Sequence, residues 1–417
     1  MSKVRQRNLM QERQSPSSKP RTLKTEPASD SNGLSLCTRV LGIAVAIIVA
    51  IGLLGFYQAP YTCLTPERLS VEVKLDGPFA FKNTLKQGTK IPGLPSPESI
   101  AEDGKGNLYT GLADGRIIKI KPSDNGRIGA GDLINVTSGI IKDISRAMKK
   151  KSGRPLGLRV QDETLYVADA NYGIYTVNTQ TGKVKMLIKV TDVNPPLSFT
   201  DDLDISRDGK YIYFSDMSIF SIDEMLYGIY KGDCDGRVFC YNTETKKIEI
   251  VASNLCFANG VQLSQDEQSL FVVELAKSVV RIIDLATSKT VKMLNIPIMA
   301  DNIRATGKGT YWVAGGILRT TLYSFLERNP IVRQIVIGLL SQESLFKLLL
   351  LSAHYNLVLE INEKGDILQS FHDPNCENYA CLAQAITLSD GRLALSTYVG
   401  DHISIVNAED AIAVGRV

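Results

Sequence analysis

The sequence predicts an all-β protein, a six-bladed β-propeller with a helical insertion, preceded by a single transmembrane helix. Three observations carry that prediction. A β-rich pattern recurs six times along the chain. An uncharged apolar run, Val40 to Tyr57, lies ahead of the repeats. A Leu- and Ile-rich stretch with helical spacing, Ile317 to Tyr355, interrupts the fifth copy.

Residues 1–39 come first. They hold Lys3, Arg5, Arg7, Arg13, Lys19, Arg21, Lys24 and Arg39 against Glu12, Glu26 and Asp30, with much Ser, Pro and Gln. Such a composition cannot bury a core, so this reads as a disordered basic head on the cytosolic side. Residues 40–57 are long enough to span a bilayer as a signal-anchor helix. The basic flank precedes the run, so the positive-inside rule places residues 58–417 outside the cytosol. The expectation is a type II, single-pass membrane protein of the plasma membrane or endoplasmic reticulum. A cleaved signal peptide would have a shorter head and a shorter apolar core. The formal charge of +3 over 417 residues is too small to imply a nucleic-acid partner.

An oxidising compartment permits disulfides. Beyond Cys37, a candidate for palmitoylation on the cytosolic flank, the cysteines are Cys63, Cys234, Cys240, Cys256, Cys376 and Cys381. Cys234 with Cys240 and Cys376 with Cys381 are the local pairing candidates, although spacing alone does not decide. Asn135-Val136-Thr137 is a glycosylation sequon.

The repeats begin near Asp103, Gln161, Arg207, Gln265, Gly307 and Asp390. Each opens on an Asp- or Gly-bearing turn, followed by short runs rich in Tyr, Val, Ile and Phe. Most starts are about 40 to 60 residues apart, near the period of a four-stranded blade. A β-sandwich would not need units that match one another. The alternating segment Leu69–Leu75 is the expected closing strand. The insertion, helical over 317–353, is interrupted by Arg333, Glu343 and Lys347 and so is not a second span. It either lies on the membrane, caps the propeller mouth, or packs on its side.

A polar register runs through the repeats. Asn259-Gly260, a pair that ordinarily marks a tight turn, stands seven residues before Asp266 at the head of a hairpin. Glu98 precedes Asp103 by five, Asp201 and Asp202 precede Asp208 by seven and six, and Asp301 and Asn302 precede Gly307 by six and five. Equal register on innermost strands means equal height along the propeller axis. Glu98, Asp201 or Asp202, Asn259 and Asp301 are therefore expected to converge at one end of the channel. Carboxylates so crowded repel unless a cation lies between them. Oxygen donors without His or Cys suit calcium better than magnesium.

The segments GRPLGLRV (Gly153 to Val160), LYVADANYGIYTVN (Leu165 to Asn178), FANGVQLS (Phe257 to Ser264), ADNIR (Ala300 to Arg304) and YWVAGG resemble the strictosidine synthase-like proteins. Those belong to a wider group of calcium-dependent six-bladed propellers that includes paraoxonases and gluconolactonases. The resemblance implies calcium bound by Glu98, Asp201, Asn259 and Asp301. It also implies a membrane-anchored hydrolase of aryl esters or lactones. Asp201 stands where the group carries Asn, which adds a negative charge. Ser152 stands where the family often has Cys, so that disulfide is missing. The early-blade histidine pair of paraoxonases is absent, because the histidines are His354, His372 and His402, all late. Strictosidine synthesis requires a late-blade glutamate, and Tyr379 to Ser389 contains no Asp or Glu. The alternative expectation is a non-catalytic propeller that binds a protein or lipid partner, with calcium as a structural pin.

Overall fold

The computed structural model describes residues 31–62, 73–81, 83–85, 88–136 and 153–407. The head before residue 31, Cys63, Thr137 of the sequon and Ser152 lie outside the described residues, as does the side chain of Cys37. The chain forms two compact units, residues 1–51 and 52–417.

Helix α1 runs Ser31–Gln58, so helix begins nine residues before the apolar run. Its segment Thr38–Gln58 has mean hydropathy 2.7, long and apolar enough to cross a membrane. Leu41, Ile43 and Ile48 on it are exposed, whereas a core helix of a soluble domain would bury them.

The second unit is a six-bladed β-propeller. Blade 1 comprises Ile100–Glu102, Leu108–Gly111, Ile117–Ile120 and Leu133–Asn135. Blade 2 comprises Pro155–Gln161, Thr164–Asp169, Gly173–Asn178 and Val184–Lys189. Blade 3 has Thr200–Ile205, Tyr211–Asp216, Gly236–Asn242 and Ile248–Leu255, and blade 4 has Ala258–Leu263, Ser269–Glu274, Val279–Asp284 and Lys289–Asn295. Blade 5 has a broken inner strand, Ile298–Met299 and Ile303–Ala305, then Thr310–Leu318, His354–Asn362 and Ile367–Asp373. Asn83–Thr84 adds a parallel strand outside it. The aspartates that punctuate the repeats make the turns. Asp208 Oδ1 accepts from Lys210 N at 3.0 Å, Asp266 Oδ1 from Gln268 N at 3.0 Å, and Asp390 Oδ1 from Arg392 N at 3.1 Å. Apolar side chains fill the space between blades, as where Ile174 and Ile188 meet Leu203 and Phe214.

The ring closes in blade 6, where Thr89–Pro92 pairs antiparallel with His402–Val406 outside Leu393–Thr397 and Leu382–Thr387. The closing strand is therefore not Leu69–Leu75. Residues 69–72 lie outside the described residues, and Val73, Lys74 and Leu75 form no strand. Closure at Thr89 still removes the open sheet edge.

Two helical excursions leave the blades. Helix α2, Met225–Lys231, lies between the second and third strands of blade 3, and the sequence reasoning missed it. Helices α3, Thr321–Arg328, α4, Pro330–Leu339, and α5, Gln342–Ala353, lie between the second and third strands of blade 5. The Thr320 side chain accepts from Tyr323 N and that of Ser341 from Ser344 N, while Pro330 opens α4. The flanking strands reach Leu318 and begin again at His354, so the helices themselves occupy less than Ile317 to Tyr355.

The described disulfide joins Cys234 to Cys256, not Cys234 to Cys240. Gly236 is registered opposite Leu255, which brings the ends of the two strands, and their cysteines, side by side. Cys240 lies within its strand opposite Glu249 and is a free thiol. Cys376 and Cys381 are likewise free, so their expected pairing does not form.

Candidate site on the propeller axis

The innermost strands are irregular at matching places. Ladder register shifts between Pro155 and Leu158, Thr200 and Leu203, Ala258 and Val261, and Leu382 and Gln384. In blade 5 the inner strand breaks between Met299 and Ile303. Such bulges turn side chains out of the normal alternation. Asp201 and Asp202, Asn259, and Asp301 all lie in these irregular segments. Asn259-Gly260 is consequently not a turn. A Cβ at Gly260 would come within 2.7 Å of Ile303 N and 2.8 Å of Asp301 O, so glycine there permits two inner strands to approach.

Glu98, Asp201, Asn259 and Asp301 line one pocket that opens to solvent. Glu98, Asp201 and Asn259 are buried. One oxygen on each of them, Glu98 Oε2, Asp201 Oδ1 and Asn259 Oδ1, is buried without a hydrogen-bond partner. Asn302 Nδ2 donates to Glu98 Oε1, and Asn259 hydrogen-bonds the Asp301 carboxylate. Burial above all, with repulsion from Asp202, pushes the Glu98 carboxyl up to about 7 in spite of nearby Arg154. Burial, followed by repulsion from Glu98 and Asp301, holds Asp201 well above the carboxylate range. Asp301 is raised in the same way by burial and then Glu98. The donor set is oxygen only, negatively charged, and carries unsatisfied lone pairs, which is the chemistry a hard cation accepts. Among the described residues, no three His, Cys, Asp or Glu side chains are already gathered at metal-holding spacing.

Asp202, equivalent to Asp201 in the sequence register, plays a different part. Its carboxylate receives Arg304 Nη1 at 2.7 Å, Arg304 Nη2 at 3.0 Å, Arg159 Nη1 at 3.3 Å and the Val261 backbone N–H at 2.9 Å. This clamp, buried except for part of Arg159, ties blades 2, 3, 4 and 5 together. Sequence reasoning did not find it, although Arg304 stands in the ADNIR segment. Its partners are distant along the chain, and nothing in local spacing couples Arg304 to Arg159.

The cavity wall is otherwise apolar. Met225, Leu226 and Ile229 from α2 and Phe346 and Leu349 from α5 face the axial carboxylates, with Phe199 and Tyr398 from the blades and loops. The free thiol of Cys381 also lines it, with its proton affinity raised chiefly by burial. None of the three histidines does. His354 accepts the Cys381 backbone N–H through Nε2 at 3.1 Å. Asn135 ends the outer strand of blade 1, half-buried.

Residues 201–283 match the family model for strictosidine synthase, and residues 77–120 match that for the N-terminal part of strictosidine synthase-like proteins. Adipocyte plasma membrane-associated protein of Salmo salar is 37% identical over 325 residues, covering 74% of this chain and 75% of that one. The chain belongs to the strictosidine synthase-like family. Its relative of the same name in Gallus gallus is 36% identical over 357 residues, 81% of this chain and 82% of the other. Strictosidine synthase-like 13 of Arabidopsis thaliana is 32% identical over 297 residues, covering 66% and 72%. Among solved structures, a luciferin-regenerating enzyme aligns with TM-score 0.50 at 13% identity, over 78% of this chain and 94% of its own, a likeness of fold. Within this strictosidine synthase-like chain the stretch Tyr379–Ser389 contributes Cys381 and Leu382 to the cavity but no carboxylate.

Proposed function

We propose that this protein is a membrane-anchored, calcium-dependent hydrolase of aryl esters or lactones. The observation that carries the proposal is the set of buried oxygens without partners, on Glu98, Asp201 and Asn259, facing an apolar cavity. Glu98, Asp201, Asn259 and Asp301 are the residues that would hold the ion. When bound, calcium would supply positive charge against the oxygen of a polarised carbonyl and its oxyanion. The chain's residues supply the remainder. Phe199, Phe346 and the methionines give an apolar wall for an aryl or acyl group. Helices α2 and α5 shield the reacting end from water. The clamp at Asp202 fixes the inner strands so that the donors stay in place. The resemblance of Ala300 to Arg304 to the family supports including Asp301 in this set, and the added charge of Asp201 favours tighter ion binding.

A location outside the cytosol, in the plasma membrane or endoplasmic reticulum, fits the Cys234–Cys256 disulfide, because reducing compartments keep thiols free. Glycosylation at Asn135 belongs to the same reading. The second reading is a binding propeller with calcium as an axial pin. It is favoured by the lack of any histidine on the cavity wall to serve as general base.

The deciding experiment is hydrolysis of phenyl acetate and a simple lactone by the full chain in detergent. It is run with calcium, after chelation, and with Asp301→Ala. Turnover lost on chelation and in the variant supports the hydrolase. No turnover above buffer, together with a calcium-dependent melting temperature, rejects hydrolysis of these substrates and leaves the binding propeller.

A further inference from the structure

Two of the insertion helices, α3 and α4, leave large apolar side chains in the open while burying polar ones. On α3, Ser324 and Glu327 are buried while Leu322 and Phe325 are exposed, Phe325 at 50%. On α4, Arg333 and Gln334 are buried, at 2% and 5%, while Ile331 and Val332 are exposed, Ile331 at 59%. Leu339 at the end of α4 is also exposed, and Leu351 on α5 reaches 88%. An amphipathic helix on a globular surface ordinarily turns its apolar stripe to the core. Here Ser324, Glu327, Arg333 and Gln334 share the protein side with buried Tyr323, Leu326 and Ile337 while apolar side chains face outward, whereas α5 buries Leu345 and Leu349 and exposes Glu343 and Lys347. The Glu327 carboxylate meets Arg319 in a buried ion pair, which fixes α3 in that orientation.

What lies against the outward stripe is indicated by α1. Its last residues, from Gly52, belong to the same compact unit as the propeller. Along α4 the residues Ile331, Ile335 and Leu339 recur every fourth position and so share one face. Gly55 of α1 sits on that face. A Cβ at Gly55 would come within 2.6 Å of Leu339 Cγ and 2.8 Å of Ile335 O, and one at Gly338 would strike the Gly55 carbonyl. Small residues permit this kind of approach between apolar helices. Gln334 Nε2 donates to Phe56 O at 3.3 Å, capping the contact. The exposed ends of the α4 stripe thus continue the surface against which the final turns of the span are packed. Tyr57, 81% exposed, follows Gly55 by two residues at the end of α1, and aromatic residues are enriched at membrane boundaries.

We propose that the exposed apolar side chains of the insertion, Leu322, Phe325, Ile331, Val332, Leu339 and Leu351, lie in the interfacial layer of the bilayer that holds α1. The occupant of this face is lipid, at the junction of acyl chains and headgroups. Because α5 also supplies Phe346 and Leu349 to the cavity wall, the wall of the axial site is then built from helices seated on the membrane. This inference does not depend on hydrolysis or calcium. It requires only that α1 be in a bilayer.

The test places tryptophan reporters in the full chain, reconstituted in nanodiscs with and without brominated lipids. The variants are Phe325→Trp, Ile331→Trp and Leu351→Trp, with Val291→Trp as an exposed control on blade 4. The wild-type signal from buried Trp312 is the baseline. Each variant is first checked for an unchanged melting profile. Brominated lipid is expected to quench the insertion reporters severalfold more than Val291→Trp, and aqueous iodide to quench them less. Reporters quenched by iodide as readily as the control, and not by lipid, would overturn the proposal. So would reporters shielded from both quenchers, which would mean that a second copy or another protein covers the face. Any one reporter that misfolds leaves two others to decide the question.

Discussion

Replacing Asp201 by asparagine is the sharpest probe of the axial donor set. The change is nearly isosteric, keeps an oxygen facing the cavity and removes one of three buried negative groups. Asp201 and Asp301 are both driven toward their protonated forms by burial and by their neighbours, so without a cation they oppose folding at neutral pH. Two like charges a few ångströms apart at an effective dielectric near 20 repel by roughly 2–4 kcal/mol. Asp201→Asn is therefore expected to stabilise the chelated protein by about 2 kcal/mol. With about 2.1 cal/mol/K per residue of unfolding entropy over roughly 350 ordered residues, that is a rise of about 3 °C in melting temperature. In millimolar calcium the order should reverse, because the wild-type set carries one more charge toward the ion. Differential scanning fluorimetry of both proteins in chelator and in a calcium series measures this directly. If Asp201→Asn is less stable in chelator, and calcium moves neither protein, the picture of a repulsive cation-accepting cluster is wrong.

Three further outcomes are expected. Arg304→Met leaves the buried Asp202 carboxylate with Arg159 and a single backbone N–H. It should cost about 3–5 kcal/mol in chemical denaturation, with partial recovery in the Arg304→Met/Asp202→Asn double variant; additive losses would deny the clamp. His372 is held neutral by burial, down to about 4, with Tyr355 Oη at 2.8 Å from Nδ1 and Ser370 Oγ at 2.9 Å from Nε2. Since the unfolded chain binds more protons between pH 6.5 and 4, this contribution is present above 6.5 and lost as pH falls through that window. Discounted for screening, it amounts to about 2 kcal/mol that His372→Gln should not lose on acidification, and equal acid losses in both proteins would contradict the sign. Cys234→Ser opens a loop closed over 22 residues and should cost about 3 kcal/mol, while non-reducing peptide mapping of the wild type should join Cys234 to Cys256 and not to Cys240.

The blades were legible because each repeats a local chemistry. The aspartate at a turn, the short Tyr- and Val-rich strand and the next turn recur, and one unit teaches the next. The axial register was legible for the same reason, since Glu98, Asn259 and Asp301 each stand five to seven residues before their turns. It did not separate Asp201 from Asp202, because which of two adjacent residues faces the channel is decided by the bulge between Thr200 and Leu203. The disulfide partner of Cys234 was set by strand pairing across Gly236 and Leu255, which sequence distance conceals. The closing strand was misplaced because Leu69–Leu75 alternates more cleanly than Thr89–Pro92, yet pairing with His402–Val406 is a tertiary choice. Helix α2 escaped notice because its seven residues are too few to show a period.

The seam at Thr89–Pro92 also orders events in time. Its partner strand is made some 300 residues later, which at about 5–20 residues per second is a wait of roughly 15–60 seconds during synthesis. Throughout that interval Thr89–Pro92 has no mate, and blades 1 and 5 face each other across a gap. A nascent chain of this design remains dependent on folding helpers until its final blade emerges, and a truncation that removes His402–Val406 would leave a ring that never shuts.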